Sequence, residues 1–487
     1  MIRNSLFNPI QNATPFHAYT YLNLIKTNKM KVLKLIILMA FFTSSISCQK
    51  NGDDVIKPTP AEPALTQYGT PFANVPDALD VTLYQVNMRV FSDTRNFQGV
   101  TNRLDSIKTL GINVIYLMPI YPVGSQRSVN SPYCIRDYKS VNSEFGDLAA
   151  LRKLIEEAHN RNIAVILDWV GNHTSWDNTW MSNLSWYKVD ANGSVVSPNG
   201  WTDVAQLDFD NYEMRAAMID AMKYWVYTAN IDGFRCDYSD GPPADFWKQA
   251  LDTLKNITTH KLLMLSEGTR STNYSAGFNY NFGFNYYGRL KDIFAKGNSV
   301  QTLDIANTEE SVGANANQSI VRYITNHDVN SSDGTPLELF GGKTGSMAAF
   351  VATAYMKGIP MIYNGQEVAT SYRLTFPFTG TTINWSVNPD VRQEYVKILK
   401  FRNNTAAIRK GTLATYNSTD ICAFTKTLNN EVYLIITNLR NTDKTLSLPA
   451  SFTGTSWTNV FDGSTLSVNG SFNVKAYSYL VLKKSGK

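Results

Sequence analysis

Four apolar runs in the 487-residue chain finish on groups that can attack carbon or move protons. AVILD ends at Asp168, GFRCD at Asp237, LLMLSE at Glu267, and VRYITNHD at His327 and Asp328. A lone buried carboxylate is costly unless it is paired, and four acidic run ends would need four separate structural reasons. Brought together, two such carboxylates suit the cleavage of an acetal: an ionised group attacks the anomeric carbon while a protonated one serves the leaving oxygen. Asp237 and Glu267 close consecutive runs, so their side chains are expected roughly 5 Å apart, the spacing of a double displacement that retains configuration. The two must differ in protonation. Arg235 lies on the same strand face as Asp237, because side chains alternate with a period of two, and its cation is expected to favour the Asp237 carboxylate. Glu267 follows LLMLS, whose apolar surroundings are expected to hold its proton. One pKa unit corresponds to about 1.4 kcal/mol, so modest desolvation separates the roles.

Such groups converge only if their runs are strands with a common C-terminal end. Eight runs qualify as strands: VTLYQVNM, NVIYLMPI, AVILDWV, the segment ending GFRCD, LLMLSEG, FNYNFGF, VRYITNHD and GIPMIYNGQE. Between them lie segments such as DLAALRKLIEEAHNRN and YEMRAAMIDAMKYWVYTAN, whose apolar residues recur at helical spacing. The alternation predicts an α/β fold, a closed parallel (β/α)8 TIM barrel over 76–409, with its active site at the C-terminal ends of the strands. An open doubly wound sheet is the structural alternative, but no glycine-rich phosphate loop opens any of the helices. Beyond Thr412 the helical spacing disappears, and EVYLIITNL, TLSLPASF and YSYLVLKK predict a C-terminal antiparallel β-sandwich domain at 410–487.

Composition excludes several classes. Hydrophobic residues make up 43% and charged residues 17% of the chain, a globular balance. The formal charge is +5, but Arg3, Lys26, Lys29, Lys31 and Lys34 supply five positives and no acid precedes Cys48, so removing that leader brings the balance to zero. No basic excess remains for nucleic acid. From Met30, the expected true start, MKVLKLIILMAFFTSSISC places two lysines, a short apolar run and small residues before a cysteine. That is a signal peptide, too short to span a bilayer, and it resembles a bacterial lipoprotein cleavage site with Cys48 as the lipidated residue. The expectation is a chain anchored to the outer membrane of a cell envelope by acyl chains, each buried methylene contributing about 0.8 kcal/mol. A flexible proline-rich tether follows over 49–75, and Asp53 and Asp54 resemble the surface-export signals of Bacteroidetes lipoproteins. Cys134, Cys236 and Cys422 are an odd set without metal-like spacing, so neither a disulfide framework nor a zinc site is expected.

Taken together and in order, the motifs resemble those of the α-amylase superfamily of glycoside hydrolases from about Val81 to Arg409. DWVGNH supplies Asp168, Asn172 and His173, GFRCD supplies Arg235 and Asp237, LSEG supplies Glu267, and NHD supplies His327 and Asp328. SPYCIRDYKSVNSEFGD, AQLDFDN around Asp208 and GIPMIYNGQE are similar as well. The resemblance implies retaining, endo-acting hydrolysis of α-1,4-glucosidic bonds in starch or maltooligosaccharides. Asp237 is then the nucleophile, Glu267 the acid and base, and Asp328 the third carboxylate. It further implies that Tyr133 is an aromatic platform for the reacting sugar and that Asp168, His173, Arg235 and His327 help to bind it. No cofactor is required for this chemistry, and the expected partners are a glucan and the membrane, with the chain a monomer.

Two departures bear on substrate and metal. Where many amylases carry a lysine-histidine pair after the nucleophile, this chain has Asp240 and Gly241, which removes the usual sugar contact and one usual calcium ligand. A structural calcium is left open, with Asn172, Asp203 and Asp208 as the candidate ligands, although calcium takes six to eight oxygens. The insertion after strand three, 174–205, is short and holds Trp176, Trp180, Trp186 and Trp201, each a packing residue or a sugar-stacking one. The alternatives are a transglycosylase or a sucrose-, trehalose- or cyclodextrin-acting relative, and a catalytically silent glucan-binding lipoprotein.

Overall fold

The computed structural model of the protein describes residues 65–485. The leader, Cys48 and the first part of the tether lie outside the described residues.

Each of the eight apolar runs contains one barrel strand: β1 Leu83–Val86, β2 Val114–Leu117, β3 Ala164–Val170, β4 Gly233–Asp237, β5 Leu263–Ser266, β6 Tyr280–Phe282, β7 Ser319–Arg322 and β8 Ile359–Tyr363. They pair in chain order, and β8 closes on β1. All pairings are parallel, with Leu83 opposite both Met361 and Val114. Helices cover the outside, so both faces of most strands are buried, and the strands read as apolar runs rather than alternating ones. The helix Leu148–Asn160 buries Leu151, Leu154, Ile155 and Ala158, one stripe at helical spacing, and Asp147 caps it by accepting from the Ala150 amide. Tyr212–Ala229 is capped by Asn211 and ends at Asn230 in the left-handed region (φ 60°).

Register decides which side chains meet. Asp168 on β3 is the Cα partner of Arg235 on β4, and Cys236 is the partner of Ser266, one residue before Glu267. The β4–β5 approach requires glycine at its start: Gly233 has φ 143°, and a Cβ there would stand 1.9 Å from the Leu263 carbonyl oxygen.

Three expectations need correction. The VRYITNHD strand stops at Arg322, and His327 and Asp328 open a short helix, His327–Ser332. Asn326 caps that helix by accepting from the amides of Asp328 and Val329, a pairing that ends strand geometry. FNYNFGF gives only a three-residue strand, because Phe284 begins a helix that runs to Lys296. The tether does not stay free to residue 75: the Tyr68 amide donates to the Tyr227 carbonyl at 2.8 Å, Phe72 stacks on His159 at 4.4 Å, and Val75 is buried.

The insertion after β3 is closed at its base by an antiparallel ribbon, His173–Ser175 against Val204–Gln206. After the barrel comes a six-stranded antiparallel sheet in the spatial order Thr412–Tyr416, Ile421–Leu428, Glu431–Asn438, Tyr479–Lys484, Thr455–Asn459, Thr465–Val468. A two-stranded sheet, Lys444–Ser447 with Ser471–Val474, joins it through a core that includes Ile421, Leu434, Leu446, Trp457 and Val474. Alternation explains the other face: Cys422, Phe424, Ile435 and Val481 point the opposite way and belong to the barrel's core cluster.

Candidate active site

Arg235 is the centre of the site and is fully buried. Its Nη1 donates to Asp168 Oδ1 at 2.7 Å and to Asp237 Oδ1 at 2.8 Å, while its Nη2 contacts Glu267 Oε1. Carboxylates from β3, from β4 and from just beyond β5 therefore share one guanidinium, whose planar fork of donors suits this geometry. The second oxygen of Glu267 accepts from the Tyr238 amide at 2.9 Å. Tyr238 takes φ 40°, a left-handed conformation uncommon for a bulky residue, and the turn aims its N–H at Glu267.

Asp168 is held from every side. Tyr116 and Tyr133 donate their hydroxyls to its Oδ2 at 2.7 and 3.0 Å, and Tyr121 donates to its carbonyl oxygen at 3.0 Å. Tyr133 also meets His327: its hydroxyl lies 2.8 Å from Nε2, and the two rings stack at 5.4 Å. Gln85 Nε2 sits 2.8 Å from His327 Nδ1, so the amide donates there and Nε2 carries the ring proton. A directed chain results, from Gln85 through His327 and Tyr133 to Asp168. His327 Nε2 also lies 3.3 Å from Asp328 Oδ1.

Exposure separates the acids. Asp168 is closed off at 0%, Asp237 and Glu267 present 13% and 12% of their side chains, and Asp328 stands open at 62%. Two partly open carboxylates at the end of a closed barrel can reach a substrate. Asp168, with Arg235, supports them from beneath.

Arg235 favours the Asp237 carboxylate, as expected, but burial opposes it. Burial raises Asp237 well above the ordinary carboxylate range, and the charges of Glu267 and Asp168 add to this against the attraction of Arg235. Burial likewise brings Asp168 up to about 6 despite Arg235 and the Tyr116 hydroxyl. Glu267, expected in apolar surroundings, instead accepts from a guanidinium and a backbone amide. Burial holds His173 down to about 4 and His327 to about 3, so both rings are neutral at neutral pH; a hydrogen bond to the Tyr133 backbone opposes the shift at His173.

The remaining sequence candidates divide. His173 meets the site through Tyr133 and places its ring 5.7 Å from Trp201, which in turn packs edge-on against Tyr238 at 5.1 Å. Asn199 donates to the Tyr238 hydroxyl at 2.9 Å, so this part of the insertion leans on the turn that holds Glu267. Trp180 and Trp186 pack on each other and Trp180 on Tyr138, and Trp176 lies under Arg127. Asn172 turns its amide nitrogen to His173, Asp208 closes a turn by accepting from the Asp210 amide, and the Asp203 carbonyl accepts from Cys134 Sγ. Among the described residues no group of three or more His, Cys, Asp or Glu side chains is arranged to hold a metal ion. No step of the chemistry is routed through a calcium ion.

Tyr116, Tyr121 and Gln85 escaped the sequence reading, as did the part that the Tyr238 backbone plays. Gln85 and Tyr116 carried a usable signal: each is a polar group inside a buried, largely apolar run. Tyr238 carried none, because its backbone rather than its side chain does the work.

A closed barrel with two accessible carboxylates on adjacent strands, clamped by one arginine, is the framework of a glycoside hydrolase. Residues 85–193 and 199–405 match the model of the alpha-amylase catalytic domain. The chain is 27% identical over 392 residues to Alpha-amylase 2 of Dictyoglomus thermophilum, a match covering 75% of this chain and 68% of that protein. It is 25% identical over 402 residues to the alpha-amylase MalA of Haloarcula japonica, covering 78% of this chain but only 58% of that longer protein. Among solved structures, an alpha-amylase from Lactobacillus plantarum superposes with a TM-score of 0.75 at 26% identity, covering 83% of this chain and 99% of that one. The maltogenic alpha-amylase AmyB from Thermotoga neapolitana gives the same TM-score at 25% identity, covering 84% and 99%. The chain belongs to the alpha-amylase family of glycoside hydrolases.

Proposed function

We propose that the protein hydrolyses internal α-1,4-glucosidic bonds of starch or maltooligosaccharides with retention of configuration. The observation that carries this reading is the clamp of Asp237 and Glu267 on one guanidinium at the open end of the barrel. Asp237, in the ionised form that Arg235 favours against burial, attacks the anomeric carbon as Glu267 gives its proton to the departing oxygen, leaving a glucosyl ester on Asp237. Glu267, now a carboxylate, takes a proton from water, whose oxygen attacks the same carbon and frees Asp237. Each step inverts the centre, so the product keeps the starting configuration.

The groups around Asp168 bind the reacting sugar. Tyr133, fixed between Asp168 and His327, offers the half-buried ring face of the platform, and Asp328 and the neutral His173 and His327 contact hydroxyls. The chain's leader motif supports a second part of the reading, an acylated Cys48 that tethers the enzyme to an outer membrane, where it meets polymeric substrate at the cell envelope.

Product analysis tests the reaction. The chain after Cys48, incubated with maltoheptaose, is expected to give shorter maltooligosaccharides only, and Asp237→Asn to give none. Products longer than the substrate would show transfer to sugar acceptors, and an unchanged substrate would reject glucan hydrolysis.

A further inference from the structure

Asp240 stands where many amylases carry a lysine that contacts sugar, and its carboxylate is engaged within the protein instead. Its Oδ2 accepts from the Thr269 amide at 2.8 Å and from the Thr269 hydroxyl at 3.1 Å. Its Oδ1 accepts from Asn273 Nδ2 at 3.0 Å and makes an ion pair with Arg270 Nε at 3.2 Å. Arg270 answers from the other side, donating Nη2 to the carbonyls of Ser239 and Pro242 at 2.6 and 2.7 Å. The loop after β4 and the loop after β5 are thus laced in both directions.

The fit leaves no slack. Gly268, directly after Glu267, has no room for a Cβ, which would stand 2.3 Å from Asp240 Oδ1. Behind the brace, the Ser239 and Ser266 hydroxyls meet at 2.5 Å, and the Ser239 amide donates to the Glu267 carbonyl at 3.1 Å. Every link flanks the same two objects, the Tyr238 amide and the Glu267 carboxylate it holds.

We propose that Asp240 and Arg270 form a brace that positions Glu267, with an acidic residue in the β4 loop replacing a substrate-binding cation by an internal lock on the proton donor. The inference rests on the reading of Glu267 as the acid and base. Asp240 touches no reacting atom in this account; it is a positioning residue acting through the Tyr238 turn and the Gly268–Asn273 loop. A misplaced acid harms a reaction only when the leaving group needs a proton, and small displacements of a catalytic group are expensive in rate. A glucan's departing sugar hydroxyl needs that proton, whereas fluoride departs largely without it.

The test compares maltoheptaose with α-maltotriosyl fluoride. Asp240→Ala is expected to lower kcat/KM on maltoheptaose by roughly tenfold or more and on the fluoride by less than about threefold. Arg270→Ala should show the same selective loss, and the double variant should lose little beyond either single one, because both remove one brace. Should Asp240→Ala fail to fold, Asp240→Asn keeps one acceptor for Thr269 while losing the ion pair, and should give a smaller loss with the same selectivity. Equal losses on both substrates, or no loss on maltoheptaose, would overturn the brace. Glu267→Gln separates the two readings: it must show the selective loss at its largest, and equal collapse on both substrates would remove the acid role of Glu267 and the brace with it.

Discussion

Arg235 Nη1 lies 2.8 Å from Asp237 Oδ1, two residues away on one strand, and the same nitrogen reaches Asp168 on the neighbouring strand at 2.7 Å. Period two puts Arg235 and Asp237 on one face, and barrel register sets Asp168 beside them. None of these charges is alone.

Arg235→Ala removes the cation that the three carboxylates share and leaves their buried charge uncompensated. Losing one side of a buried ion pair costs about 3–5 kcal/mol, so a clear fall in the urea midpoint is expected together with loss of activity. Arg235→Lys should recover part of the stability and little of the rate, because an ammonium is a point charge that cannot bridge three carboxylates in a plane. Full activity in the lysine variant would show that charge alone suffices.

Stability should depend on pH with two opposing signs. Asp168, raised to about 6, binds its proton more tightly in the folded chain than in the unfolded one. Its contribution is full below the ordinary Asp value of about 3.9 and is lost as pH rises through about 6. His173, held down to about 4, behaves in the reverse way: its contribution is present above the ordinary histidine value of about 6.5 and is lost as pH falls toward 4. Urea unfolding between pH of about 4 and about 7 should therefore show wild type losing ground to Asp168→Asn as pH rises, and to His173→Gln as pH falls. Parallel curves for all three proteins would contradict the assigned shifts.

Anchoring is tested separately from chemistry. The full chain should need detergent for extraction and incorporate labelled fatty acid, and Cys48→Ala should do neither while keeping its activity on maltoheptaose. A wild-type chain that partitions into buffer would refute the anchor.

The fold was readable because most barrel strands are buried on both faces and so write largely apolar runs, while helices such as Leu148–Asn160 keep one clean stripe. Asp237 and Glu267 were readable because charge at the end of such a run is conspicuous, whereas Asp168, expected at a strand end, lies inside β3, which continues to Val170. What stayed hidden were effects of backbone conformation and of sharing. Nothing in the letters of YSDG shows that Tyr238 turns left-handed and points its amide at Glu267. Nor does Arg235, read along its own strand, reveal that two neighbouring strands bring it further carboxylates and dilute its hold on Asp237. The boundary of the tether was lost for a similar reason: Tyr68 and Phe72 look like isolated aromatics in a polar stretch until Arg152, Tyr227 and His159 are set beside them.

The central claim is that Asp237 becomes covalently glycosylated during turnover. The most direct measurement is to trap that ester with a 5-fluoro-α-glucosyl fluoride, digest the labelled enzyme with protease and map the adduct by mass spectrometry. The account predicts one sugar per active site on the peptide containing GFRCD, carried by Asp237 and absent from Asp237→Asn. A label on Glu267 or Asp328, or an active enzyme whose first product emerges with inverted configuration, would contradict it.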